Sequence, residues 1–250
     1  MDVREVRRIE PKKIIVLDTE TTGINAASDE ILSLTIIDLE GNVLFNELIN
    51  PVKRQRWPKA EEVNGISPSM VKGKKHLTDY EDTICGIWNS AELVVGYNVS
   101  FDTKFLYASG LPLKQLPEFD VMKEFAPIHG VWNNYHQDYQ WAKLYQCAEH
   151  YGITDFEAHT SLGDTEATRK CFLAMLDDPA YQKMKNADYS IATFVKSLNK
   201  VLLGVLVFSF IGLYACLTPP TVGAIPYLMI CAVCIAFVYL KYKSFTQRRW

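Results

Sequence analysis

The stretch VLDTETTG, residues 16–23, ends an apolar run with two carboxylates, Asp18 and Glu20, interleaved and followed by threonines and a glycine. An Asp-x-Glu triplet arises by chance about once in a chain of this length, so the setting decides its meaning. The run Ile14-Ile15-Val16-Leu17 is too short for a helix and reads as a central strand covered on both faces. Side chains two apart on a strand share a face, so Asp18 and Glu20 project together. Two like charges side by side repel. Either they splay into water at the strand end, or something positive lies between them.

The chain has 250 residues, 48% of them hydrophobic, enough for one medium globular domain with something added. The addition is at the C-terminus, where no charged residue occurs from Val201 to Leu240. A single helix of that length would be about 60 Å long, roughly twice a bilayer's hydrocarbon thickness. LTPPTVGAIP, Leu217 to Pro226, breaks it, leaving apolar spans at 201–217 and 223–240. The expectation is a transmembrane hairpin in contact with the lipid bilayer; a buried helical hairpin in a soluble core is the alternative. Lys196 and Lys200 precede the first span, Lys241, Lys243, Arg248 and Arg249 follow the second, and the turn between carries no charge. Both flanks are therefore expected on the cytosolic side of the inner membrane. The expected layout is a domain at 1–176, a juxtamembrane linker at 177–200, two spans within 201–240 and a basic tail at 241–250.

All 29 acidic residues but only 22 of the 26 Lys and Arg precede position 201, a net charge of −7 for that part. This argues against a nonspecific nucleic-acid coat held by basic surface. It leaves room for an enzyme that brings divalent cations to a phosphate. MDVREVRRIEPKK has no apolar core of signal-peptide length. Cys147 and Cys171 sit in helical patterns, and the Cys231-x-x-Cys234 pair lies in the uncharged span without other ligands, so neither reads as a metal site.

Along the chain, Ile31 to Asp38 alternates loosely, Leu39–Asn42 is a turn signal, and Val43 to Ile49 resumes strand character, together a hairpin. Leu93-Val94-Val95-Gly96 is another short buried strand. Ser100 is positioned to cap a helix running to about Ser109. Trp141 to His150 and Ser161 to Leu176 read as helices, the latter with Cys171, Phe172, Met175 and Leu176 on its inner face. Three strands followed by alternating strand and helix indicate an α/β sheet of mixed direction.

GYNVSFDTKFL, Gly96 to Leu106, places Asp102 in the first turn of a helix leaving a buried strand, although acids favour helix starts anyway. HTSLGDTEAT, His159 to Thr168, brings a histidine and Asp164. Five helical residues turn about 500°, so His159 belongs to the entering loop rather than the helix face of Asp164.

DTETTG, NVSFDTKFL and HTSLGD, in this order, resemble the three motifs of the DEDDh family of 3′–5′ exonucleases, whose members include the epsilon proofreading subunit of bacterial DNA polymerase III, RNase T and oligoribonuclease. NGISPSMV at Asn64 to Val71 and WAKL from Trp141 also resemble family segments, and the similarity covers about residues 12–176. The resemblance implies a ribonuclease H-like α/β fold with a five-stranded mixed sheet flanked by helices. It implies that Asp18, Glu20, Asp102 and Asp164 hold two Mg²⁺ or Mn²⁺ ions and that His159 is the general base. It further implies that Thr21 and Thr22 meet the terminal 3′-OH, that Ile24 wedges against the last base, and that Asn98 contacts substrate. Family members often carry histidine where this chain has Tyr97 and Asn64. Two ions about 4 Å apart bind the attacking water and the leaving oxygen in such chemistry, which would explain two carboxylates on one strand face. The product would be a nucleoside 5′-monophosphate.

Among the five histidines only His150, with Asp155, repeats the spacing of His159 and Asp164, and Gly152 ends the helix between them. Ile24 has ordinary core packing as its alternative reading. Trp132, Tyr135 and Tyr139 either stack on unpaired bases or, the preferred reading, pack the following helix. The expected partners are single-stranded DNA or RNA 3′ ends, with DNA favoured. The rivals are an exoribonuclease or oligonucleotidase of the same mechanism and a noncatalytic membrane-tethered adaptor.

Overall fold

The computed structural model of the protein describes residues 3–156, 160–189 and isolated positions between 191 and 209. The chain divides into two units, Met1–Gln182 and Lys183–Trp250. Five strands form the main sheet: β1 (Ile14–Thr21), β2 (Ile31–Asp38), β3 (Val43–Leu48), β4 (Leu93–Gly96) and β5 (Glu118–Asp120), side by side in the order β3-β2-β1-β4-β5. β1 pairs antiparallel with β2 and parallel with β4, so the sheet is mixed, as the sequence indicated. The opening apolar run forms the middle strand because Ile14 to Leu17 are apolar on both faces, and all four are buried. β1 continues to Thr21, so both carboxylates of the DTE triplet lie within the strand.

The helices are α1 (Val3–Val6), α2 (Pro58–Asn64), α3 (Pro68–Val71), α4 (Glu81–Ser90), α5 (Val99–Ala108), α6 (Val121–His129), α7 (Leu144–His150) and α8 (Ser161–Asp177). One face of the sheet packs on α4 and α5, in a core where Ile15, Leu17 and Val94 meet Ile84, Trp88, Phe105 and Leu106. The other face receives α8, whose Cys171, Phe172, Met175 and Leu176 are buried as expected. Phe119 of β5 meets Phe172 edge-on, with ring centroids 4.8 Å apart. A two-stranded hairpin, β6 (Trp132–Asn133) and β7 (Asp138–Tyr139), stands between α6 and α7.

Several local expectations change. The N-cap position of α5 is Asn98, in the left-handed region at φ 66° and without a side-chain capping bond, rather than Ser100; asparagine tolerates that conformation better than most residues. The helix expected from Trp141 begins only at Leu144. β2 is buried along its whole length instead of alternating, because it has a neighbouring strand on each side and is covered on both faces. Among the described residues no helix is long and apolar enough to cross a membrane. The expected spans 201–217 and 223–240 lie outside the described residues, apart from Gly204 and Ser209, as does the 241–250 tail.

Candidate active site

The pleat of β1 sends Asp18 and Glu20 to the face that α8 covers, and Asp164 comes down from the first turn of α8. One carboxylate oxygen from each of Asp18, Glu20 and Asp164 lies within 4.8 Å of the others. The start of α8 is fixed to the sheet by Ser161 and braced by two bonds of its own. Ser161 Oγ bridges the Asp18 carbonyl at 3.1 Å and Thr35 Oγ1 at 2.8 Å. Thr160 caps the helix by accepting from the Gly163 N–H at 3.0 Å. Thr165 Oγ1 donates to the Ser161 carbonyl at 2.6 Å. The positive end of the helix thus carries Asp164 to the two acids of β1. His159 lies outside the described residues, which stop at Phe156 and resume at Thr160.

Asp102 approaches from the opposite side of the strand. It is buried at the start of α5, and its Oδ1 accepts from the Thr19 N–H at 3.0 Å and from Thr19 Oγ1 at 2.6 Å. It stands apart from the trio but close enough for its charge to be felt there. Burial, and then the charges of Asp102, Glu20 and Asp164, push the Asp18 carboxyl well above the usual carboxylate range, against the opposing Ser161 hydrogen bond. Burial pushes Asp102 up to about 7, although the two Thr19 hydrogen bonds pull the other way. Three acids gathered on one face of the strand, with Asp102 buried beside them, are a hard oxygen donor set suited to divalent cations. A cation there relieves the repulsion that raises Asp18.

The threonines after the triplet build a turn. Thr22 and Glu30 exchange bonds, N–H to carbonyl at 2.8 Å and Glu30 N–H to Thr22 Oγ1 at 2.9 Å. Thr21 Oγ1 donates to the Gly23 carbonyl at 2.6 Å. A Cβ on Gly23 would run into the Asp29 carboxylate. That carboxylate accepts from the Asn25 N–H at 3.0 Å and pairs with Arg54 at 2.9 Å. The Glu30 carboxylate is held by the backbone N–H groups of Val52, Lys53 and Arg54, the first and last at 2.7 Å. The turn so fixed leaves Ile24 88% exposed, which removes core packing as its role. Ile24 and Asn98 line one groove of about 610 Å³, with Phe101 and Lys104. A second groove of about 470 Å³ is lined by Glu20 with Asn64, Met70, Lys74 and Leu162.

Asn64, at a position where the family often has histidine, donates from Nδ2 to the Thr21 carbonyl at 3.2 Å and accepts from the Ile66 N–H at 3.0 Å. It props the turn rather than reaching the carboxylates. Tyr97 donates to the Ala142 carbonyl at 2.8 Å, and burial raises its hydroxyl. The rival pair does not converge: His150 packs against the Phe125 and Tyr151 rings, and Asp155 is bound to Lys170 at 3.1 Å. Trp132, Tyr135 and Tyr139, expected to pack the following helix, are instead exposed on the small hairpin. The parts that sequence reasoning missed are Thr19, Ser161 and Asp29, whose only signal was a hydroxyl or acid beside a motif.

A model of the exonuclease family matches residues 15–172, which include Asp18, Glu20, Asp102 and Asp164. The chain belongs to the exonuclease family. Among curated relatives it is similar to the PolC-type DNA polymerase III of Thermotoga maritima, 25% identical over 166 residues, 65% of this chain and 12% of that one. It is also similar to the DNA polymerase III epsilon subunit of Treponema pallidum, 27% identical over 191 residues, 72% of this chain and 84% of that one. Among solved structures, Escherichia coli Exonuclease I in complex with a dA16 oligonucleotide has the same fold, with a TM-score of 0.53 at 18% identity over 71% of this chain and 42% of that one. The chain therefore spans about an eighth of the PolC-type relative and less than half of the Exonuclease I chain.

Proposed function

We propose that the protein is a membrane-anchored 3′–5′ exonuclease that removes nucleoside 5′-monophosphates from single-stranded 3′ ends, DNA above all. The observation that carries this reading is the convergence of Asp18, Glu20 and Asp164 within 4.8 Å, beside buried Asp102, in a domain of the exonuclease family. Two divalent cations, Mg²⁺ or Mn²⁺, would be held by these four acids and would supply an activated water and charge neutralisation at the phosphate. His159 accepts the proton of that water as general base. The backbone at Thr21 and Thr22 meets the terminal 3′-OH, Ile24 abuts the last base, and Asn98, which lines the same groove, contacts substrate. DNA is favoured because the curated relatives named above are a PolC-type DNA polymerase III and a DNA polymerase III epsilon subunit, and Exonuclease I was captured with dA16.

The membrane assignment rests on sequence: an uncharged segment from Val201 to Leu240 broken by Pro219 and Pro220, with cations on both flanks and none in the turn. It puts the nuclease on the cytosolic side of the inner membrane, as a domain of residues 1–176 joined by a linker to two spans. The test is to offer the full chain 3′-labelled single-stranded DNA, duplex DNA and RNA of one sequence, with Mg²⁺ or with EDTA. Labelled mononucleotide should appear fastest from single-stranded DNA and only with metal. Faster release from RNA would reassign the substrate, and release in EDTA would remove the metal from the mechanism.

A further inference from the structure

The segment Val131 to Gln146 has no role in the chemistry above, yet it exposes Trp132, Tyr135, Tyr139, Trp141 and Tyr145 together, Tyr135 to 89% and Trp141 to 61%. Water-exposed aromatic rings in such number mark a surface that something covers. The hairpin that carries them is held in one shape. Asn133 Oδ1 accepts from the Tyr135 and His136 N–H groups at 2.9 and 3.2 Å, and Gln137 turns through the left-handed region at φ 53°. The Gln140 N–H donates to the Val131 carbonyl at 2.8 Å, and the Trp132 and Tyr139 rings stand edge to face with centroids 5.1 Å apart.

Its position ties it to the candidate site. Buried Ala142, between exposed Trp141 and Tyr145, accepts the Tyr97 hydroxyl at 2.8 Å. β4 runs parallel to β1 with Val95 beside Val16, so Tyr97 stands level with Asp18. Val94 faces α5, so by the strand period Tyr97 is on the α8 face, which is also the Asp18 face. Adjacent strands are about 5 Å apart, so the foot of the aromatic segment is one tyrosine away from the carboxylates. The composition says what fits there. Asp138 and Lys143 are the only formal charges between 131 and 146, while five amides, Asn133, Asn134, Gln137, Gln140 and Gln146, accompany the rings. A lipid-binding surface would bring cations to anionic headgroups; rings and amides suit the faces and edges of unpaired bases.

We propose that this segment is a stacking platform for unpaired bases on the 5′ side of the nucleotide being removed. It rests on the exonuclease reading, which puts the 3′ end at the carboxylates and hence every other base upstream. A part of the molecule with net charge −7 before residue 201 cannot hold a strand by bulk electrostatics. Stacking supplies the grip and gives it little dependence on salt.

The test is binding of fluorescent dT12 and of a dT dinucleotide to the full chain in detergent and EDTA, where no hydrolysis occurs. Changing Trp132, Tyr139 and Trp141 together to Ala should weaken dT12 about tenfold or more, bringing it toward the dinucleotide. Changing the same three to Phe should keep most of the dT12 affinity. The salt slope should be the same in all three proteins. Equal loss for both ligands, unchanged dT12 binding in the Ala variant, or no dT12 binding by the wild type would each overturn the platform. So would an Ala variant that binds dT12 normally but loses self-association or vesicle binding. If the wild type binds dT12 with the expected pattern yet hydrolyses nothing in Mg²⁺, the platform stands and the exonuclease reading falls.

Discussion

Asp18 is held by packing in a place its charge resists. Its folded-state pKa is raised, first by burial and then by Asp102, Glu20 and Asp164, and burial raises Asp102 to about 7. A raised carboxylate binds more protons folded than unfolded. Its contribution to stability is therefore full below pH 4 and is lost as pH rises towards and past 7. In EDTA the domain should become less stable across that window, and Asp18→Asn should flatten the slope and stabilise the metal-free protein at pH 8 by on the order of 1–3 kcal/mol. Thermal melts at several pH values check this; a variant less stable than wild type at pH 8 would contradict the repulsion. His159→Ala should lower turnover about 100- to 10,000-fold with metal binding intact, part of the loss returning at high pH where hydroxide needs no base. A pH–rate profile of the variant identical to wild type would remove His159 from the reaction.

At the scale of elements, the site depends on three short pieces meeting: the end of β1, the start of α5 and the start of α8. β1, β2, β3, β4 and α8 were legible in the sequence because each pairs a clear apolar pattern with a turn or cap signal. α4 was not: EDTICGIWNS contains a glycine and few strong helix formers, and it is held by burial of Ile84 and Trp88, with Trp88 Nε1 on the Lys114 carbonyl at 2.8 Å. β5 is three residues long, too short for any period to show. The carboxylates were legible by strand period, whereas the grip of Thr19 on Asp102 depends on a contact between residues 83 apart and leaves no local trace. The Ile24 turn is similar, since nothing near Gly23 in sequence announces the Arg54 pair that fixes Asp29. Gly23→Ala should push the Asp29 carboxylate off Arg54 and the Asn25 N–H, shift Ile24, and cost about 10- to 100-fold in kcat/KM with little change in melting temperature. Steady-state kinetics on a single-stranded oligonucleotide measure it, and an unaltered kcat/KM would mean the turn does not position substrate.

At the scale of the whole chain, an exonuclease-family domain of net negative charge precedes an uncharged apolar segment, and the proposed tether would hold that domain where ends are presented. With native cysteines replaced, an impermeant thiol reagent on intact cells should label Thr221→Cys in the turn and leave Ser244→Cys in the tail unlabelled; the reverse pattern would put the nuclease outside. The central claim is that the acids on β1 and α8 power stepwise removal of nucleotides from 3′ ends. Its most direct measurement is a time course on 5′-labelled single-stranded DNA in Mg²⁺ with wild type and Asp164→Asn, both confirmed folded. The wild type should give a ladder shortening one nucleotide at a time, and Asp164→Asn should leave the strand intact over the same period, a loss of roughly 1,000-fold or more. A ladder of equal rate in the variant, or fragments from internal cuts, would contradict the account.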